Sequence, residues 1–303
     1  MSDVLTRIQR IDDDLEGRLG VAAIPIGRPA DETIHYQADE YYPTASTMKV
    51  PLLVTLMTRV VRGDIDLDSR IEITQEHLRP GGGVLRTFQP GFALTVRDLA
   101  TIMIIVSDNT ATDTLFDLVG IASVNATMRS LGLEHINVVL DAKDILYDVV
   151  GLEQSEVARL GSQRAIEEFF RRRRLSIYNP EALAGVDDLR NDVAHPSDMA
   201  RLMVMIHEAS ILTPAACAEI QRIMKLQQHL QMTPRLLPKA IATATKAGGV
   251  ESVRADVGLV YLEGSPYAFC GMAKRLASEA AGELAIAQAS KAVFDHLAPG
   301  DDA

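Results

Sequence analysis

Ser46-Thr47-Met48-Lys49 sets a hydroxyl and an amine three residues apart. At a helix start that spacing puts both side chains on one face, able to meet. A serine hydroxyl is a weak nucleophile until a base removes its proton. A lysine is such a base once burial or nearby positive charge lowers its pKa. The helix N-terminus adds backbone N–H groups and a positive dipole end. Alone, the same residues are equally a solvated Ser and Lys on an ordinary helix. Ser107-Asp108-Asn109 follows an apolar stretch. Its hydroxyl can relay a proton and its amide can hold a substrate carbonyl, but all three residues are also good helix N-caps. Lys246-Ala247-Gly248-Gly249 falls on an expected strand. There the lysine would lower the pKa of a neighbouring amine or hydroxyl, and the glycines would let backbone approach a ligand. In isolation it reads as a strand end with a bulge.

Elements must hold these groups. Val4, Leu5, Ile8, Ile11, Leu15 and Leu19 are close to helical spacing, so an amphipathic helix is expected over 3–19. Gly20–Ile26 and Thr33–Gln37 read as a hairpin around Gly27–Asp31. Ser46–Val61 is helical, with Pro51 tolerable only in the first turn or as a kink. Three glycines, Gly81–Gly83, lie in a polar segment, and Thr95 should cap a helix running to Val106. Further helices are expected from Asn109 to Leu118, Val124 to Leu131, 153–174, Asp198 to Ala209 and Ala215 to Leu226. Strands then follow at Ala240–Lys246, Asp256–Leu262 and Tyr267–Met272, before a Ser278-capped helix, Glu279–Leu297. Strands lie at both chain ends and helices between, so one core needs a sheet assembled from distant segments.

The 303 residues suffice for one large domain or two modest ones, and 47% apolar content fits a folded globular chain. Thirty basic against 41 acidic residues argue against nucleic acid or an anionic membrane as partner. Cys217 and Cys270 form no metal or redox pattern, and the seven histidines include no paired spacing, so neither a metal nor another cofactor is expected. Met1–Ile8 has no basic region leading into an apolar one, so a cytoplasmic protein is expected as written, or an exported one if a leader has been removed. No apolar run approaches the roughly 18 residues of a membrane span.

In this order the three motifs resemble the S-x-x-K, S-D-N and K-T-G set of class A β-lactamases and penicillin-binding-protein-like serine hydrolases. Tyr42–Ser46, Leu94–Thr112, Val119–Leu133 and Arg254–Gly258 are similar to the family's surroundings, and the likeness covers about 20–145 and 192–297. It implies an α/β (α+β) fold. An antiparallel sheet from 1–60 and 240–303 would face a helical region, 61–239, with the site in the cleft between. It also implies roles. Ser46 is the acylated nucleophile, Lys49 its base and Ser107 the relay to the leaving group. Asn109 holds the substrate amide, and Lys246 tunes the site and helps hold an anionic group. The N–H groups of Ser46 and Gly249, beside Gly248, form the oxyanion hole. The implied substrate is a small amide, lactam or ester.

The sequence departs from the pattern in three places. Ala247 stands where the family has a hydroxyl that helps bind a β-lactam carboxylate, leaving Arg254 as a replacement carboxylate ligand or a plain strand-edge arginine. No Glu-x-x-Leu-Asn motif is present; Asp144, one methylene shorter, is the candidate for activating the deacylating water. About 148–191 exceeds the family's loop and is expected to form a lid or acyl pocket lined by Phe169 and Phe170. The expected activity is therefore hydrolysis of an amide or ester through an acyl-enzyme, with atypical deacylation. A true β-lactamase with an unusual loop, a D,D-peptidase-like penicillin-binding protein and a covalent sensor without turnover are the alternatives.

Overall fold

Strands buried on both faces, their side chains alternating between two cores, build one sheet from both chain ends. The computed structural model describes residues 2–298. Its main sheet runs in the order Ile34–Tyr36, Arg18–Pro25, Tyr267–Lys274, Val253–Val260 and Thr243–Val250, with every neighbouring pair antiparallel. Val21 pairs with Gly271, Cys270 with Val257, and Val257 with Lys246. On Tyr267–Lys274 the faces separate cleanly. Ala268, Cys270 and Met272 join one core, while Tyr267, Phe269 and Ala273 join another. Helices Ser2–Asp13 and Glu279–Leu297 complete the second with Val4, Ile8, Ile286, Ala289 and Val293. The first core is shared with the helices of the middle of the chain, including Lys49–Val61, Val96–Ile105, Asn109–Val119 and Pro196–His207. This is the expected α/β arrangement of an antiparallel sheet from both ends beside a helical region.

Several boundaries differ from the sequence reading. The first helix stops at Asp13 rather than continuing to residue 19. The Asp12 carboxylate turns back to accept the Leu19 N–H at 2.7 Å, the Tyr36 hydroxyl at 2.8 Å and the Gln37 amide at 2.6 Å. Leu19 therefore belongs to the first strand, and the apolar period ran across a helix–strand junction. Pro51 is the third residue of Lys49–Val61, where its missing N–H has no intrahelical partner to lose. Thr95 and Ser278 cap their helices as expected, accepting from Asp98 N at 3.0 Å and Ala281 N at 3.3 Å. Both cysteines are buried and free.

The 153–174 stretch is two helices, Gln154–Leu160 and Ser162–Arg174, broken at Gly161 with φ 76°. A third helix, Ala142–Val149, precedes them where the sequence reading gave no element; Asp141 caps it by accepting from Asp144 N at 2.7 Å. These helices have a core of their own, Ile145, Tyr147, Val149, Val150, Leu152, Ala165, Phe169 and Ala184. Arg172 ties them by reaching Glu168, Glu156 and the Val150 and Gly151 carbonyls. Among the described residues, no helix is long and apolar enough to cross a membrane.

Candidate active site

Ser46 lies in a short 3-10 turn, Ala45–Met48, that runs directly into Lys49–Val61. The residue before it, Ala45, has φ 43°, and Ser107 has φ 55°. A non-glycine residue in the left-handed region is uncommon and often marks a functional constraint. Lys49 is fully buried, and its Nζ donates to Ser107 O at 2.8 Å, Ser107 Oγ at 3.0 Å and Asn109 Oδ1 at 2.9 Å. Lys246, equally buried, donates to the same Ser107 Oγ at 3.0 Å and to its neighbour's carbonyl, Ala247 O. One hydroxyl thus sits between two buried amines.

Burial lowers the pKa of Lys49 to about 7, with Asp108 and Asp113 pulling the other way. Burial and then the charge of Lys49 push Lys246 well below an ordinary lysine, opposed by Asp256. Burial disfavours a proton on either amine, and a proton on Lys49 disfavours one on Lys246 further, so the site favours an unprotonated amine near neutral pH. That is what Ser-x-x-Lys chemistry requires.

The tripeptide and the glycines serve structure and site together. Asp108 is the N-cap of Asn109–Val119, accepting from Ala111 N at 2.9 Å, which frees Ser107 and Asn109 to meet Lys49. A Cβ on Gly248 would stand 2.8 Å from Ser46 N and 2.9 Å from Thr47 N. The edge strand therefore lies against the Ser46 turn, and only glycine permits that approach.

The cleft has a volume of about 350 Å³, the scale of a small-molecule site. Ser46, Ser107, Asn109, Gly248 and Gly249 line it, with Ile145, Leu146, Val149, Phe169 and Tyr178 of the 142–191 segment opposite. Two expectations need correction here. Asp144 is absent from the lining; it lies with Asp141, Lys143 and Gln154, and burial followed by Asp141 raises its pKa. The reason is helical phase: Ala142, Ile145, Leu146 and Val149 take the cleft side. Phe170 likewise packs under Arg86, 4.7 Å from its ring centre, while Phe169 alone of the pair lines the cleft. Arg254 does line the cleft, but its guanidinium is held by Glu279 and Glu283.

Other contributors carried little or no signal as motifs. Gly81, Gly82 and Gly83 wrap the Ser107–Asn109 turn. A Cβ on Gly83 would fall 2.3 Å from Asp108 Oδ2, and one on Gly81 2.9 Å from Asn109 Nδ2. Asp108 Oδ2 accepts Val84 N at 2.6 Å and Leu85 N at 2.8 Å, tying that loop to the site. The glycine run was visible in the sequence, but its partner was not. Asp113 accepts Ala142 N at 2.9 Å, Lys143 N at 3.1 Å and Arg79 Nε at 2.7 Å, anchoring the wall's first helix. A mid-helix aspartate gives no hint of this.

A family model, Beta-lactamase2 (beta-lactamase enzyme family), matches residues 4–297. The chain belongs to the beta-lactamase enzyme family. Among this family member's relatives is Beta-lactamase L2 of Stenotrophomonas maltophilia, 34% identical over 128 residues. That match spans 42% of this chain and 41% of the relative, about two fifths of its length. Beta-lactamase regulatory protein BlaB of Streptomyces cacaoi is 25% identical over 289 residues, 88% of this chain and 89% of that protein. The structure is similar to a beta-lactamase from Sphaerobacter thermophilus, with TM-score 0.79 and 24% identity over 98% of this chain and 97% of that one. It is also similar to PBP-A, with TM-score 0.75 and 24% identity over 98% and 96%. At these identities the structural likeness speaks for the fold.

Proposed function

We propose that this chain is a serine hydrolase that opens a small amide, lactam or ester through an acyl-enzyme at Ser46, with slow deacylation. The observation that carries it is the meeting of Lys49 and Lys246 on Ser107 Oγ, beside the Ser46 turn. In the reaction the Ser46 Oγ–carbonyl bond forms as the hydroxyl proton passes to neutral Lys49. The N–H groups of Ser46 and Gly249 receive the oxyanion. The scissile bond then breaks, and the proton returns through Ser107 to the leaving atom. Asn109 orients the acyl amide, burial keeps Lys49 neutral, and Lys246 holds Ser107 in place.

Water must next break the new ester. The helix Ala142–Val149 lines the cleft with Ala142, Ile145, Leu146 and Val149, which carry no carboxylate to activate it. A stable acyl-enzyme is the expected product of that wall. The same feature, with the regulatory relative that matches along most of the chain, favours a covalent sensor as the second reading.

Intact-protein mass spectrometry after exposure to a penicillin, a cephalosporin and a panel of activated esters tests this. A long-lived adduct with the activated esters that disappears in Ser46→Ala, with the variant's melting temperature kept, is the expected result. Rapid substrate loss without adduct would remove the slow-deacylation half of the reading. Turnover retained in Ser46→Ala would remove the mechanism.

A further inference from the structure

Beyond Gly249 the cleft ends on four charged side chains: Glu251, Arg254, Glu279 and Glu283. Arg254 is the one cation of this group, and it is committed elsewhere. Its Nε donates to Glu283 Oε1 at 3.0 Å, one terminal nitrogen to Glu279, and the other to Val250 O at 3.0 Å and Val253 O at 2.7 Å. That occupies all but one of the guanidinium's N–H bonds. The side chain is only 12% exposed, whereas those of Glu279 and Glu283 are 46% and 23% exposed. Solvent and ligand therefore meet carboxylate before they meet guanidinium.

The strand beside it adds no anion ligand. Ala247 supplies a methyl where a hydroxyl would donate, and Lys246 is buried with its amine on Ser107 and Ala247 O. Three carboxylates against one neutralised arginine leave this group negative; Arg173, the other arginine of the lining, sits over the Phe169 ring at 5.9 Å. A carboxylate brought to Glu279 and Glu283 would face like charge and a single spare N–H of Arg254, an arrangement that disfavours an anion.

We propose that the leaving-group side of the substrate, which lies along Ala247–Gly249, carries a cationic group recognised by Glu279 and Glu283, and that anionic leaving groups are excluded. This rests on the acyl-enzyme reading of Ser46 and names the substrate class of that site. Ser107, the proton relay, is held by Lys246 of this strand, which fixes the leaving atom on that side.

The test uses three thioesters of one neutral acyl group, hippuric acid, differing in the thiol released: thiocholine (cationic), mercaptoethanol (neutral) and mercaptoacetate (anionic). In each, the Ser46 Oγ–C bond forms, the C–S bond breaks and the thiol leaves with the serine proton. Thiol release gives kcat/KM, and mass spectrometry gives the Ser46 adduct. The expected order is thiocholine, mercaptoethanol, mercaptoacetate, spanning about tenfold, the scale of one or two partly exposed charge pairs. In Glu279→Gln/Glu283→Gln, Arg254 is released and the order should compress or invert. In Arg254→Met it should widen, so the prediction survives if one variant folds poorly. Equal rates for all three thioesters, or mercaptoacetate fastest in the wild type, would overturn the charge assignment while leaving Ser46 acylation intact. No adduct and no thiol release from any of them would overturn the acyl-enzyme reading and the assignment with it.

Discussion

Two lysines that share one hydroxyl set the pH behaviour of the site. Lys49 can take the serine proton only when neutral, and its pKa is lowered to about 7. The rate of adduct formation at Ser46 should therefore climb as pH rises through about 7 and then level, measured by quenched-time mass spectrometry with one activated ester. Lys49→Arg keeps the charge but has no accessible neutral form, so it should lose on the order of 100- to 10,000-fold in that rate and lose the pH rise. The same depression has a stability sign. Between about 7 and 10.5 the unfolded lysine still binds a proton that the folded one has released. Within this window the contribution of Lys49 to stability increases with pH. The grouping of residues at this scale was legible in the sequence, because the three motifs name particular residue types and the structure brings Lys49, Ser107, Asn109 and Lys246 together. Asp144 was misread because a carboxylate at the right sequence distance says nothing of helical phase, and phase turned it from the cleft.

Loops and helices decide how firmly these groups are held. Gly81–Gly83 has no side chain to offer; its contribution is to let the Asp108 carboxylate reach Val84 N and Leu85 N. Gly83 has φ 101°, and a Cβ there would overlap Asp108. Gly83→Ala should cost about 2–3 kcal/mol, combining left-handed strain with overpacking. It should also slow acylation, since the displaced Asp108 caps the helix that presents Asn109. Thermal melting and adduct rates would show both, and an unchanged rate would separate the loop from the site. Element types were largely readable where one period ran between clear caps, as at Thr95 and Ser278. They were not where a period crossed a junction, as at Leu15–Leu19, or where the signal was a single eight-residue helix, Ala142–Val149. That helix is held by Asp113, whose partners lie in a distant part of the sequence.

At the scale of the molecule, buried carboxyls matter beyond the site. Asp192 is wholly buried, accepts Val139 N at 2.7 Å and Leu140 N at 2.9 Å through one oxygen, and leaves the other without a partner. Burial raises its pKa from 3.8 to about 7, against the pull of those two N–H groups. The folded state thus holds a proton that the unfolded chain gives up above about 4. Its contribution is fully present below pH 4 and is lost as pH rises to about 7. Asp192→Asn should match the wild type in melting temperature near pH 3.5, exceed it increasingly up to about pH 7, and keep a constant advantage above. A parallel pair of pH curves would rule out Asp192 as the titrating group. The main sheet was foreseeable from strands at the two chain ends, but its register was not, since pairing such as Val21 with Gly271 is set by tertiary packing.

That pairing also has a consequence in time. A ribosome delivers Ser46 and Lys49 early and Lys246, Gly248 and Gly249 late. The strand Tyr267–Lys274, which joins Arg18–Pro25 to the rest of the sheet, comes later still. Long-range pairings of this kind form slowly, after the local helices. On the acyl-enzyme reading, a nascent chain would carry its serine unarmed until Lys246 and the strand Tyr267–Lys274 have emerged and paired.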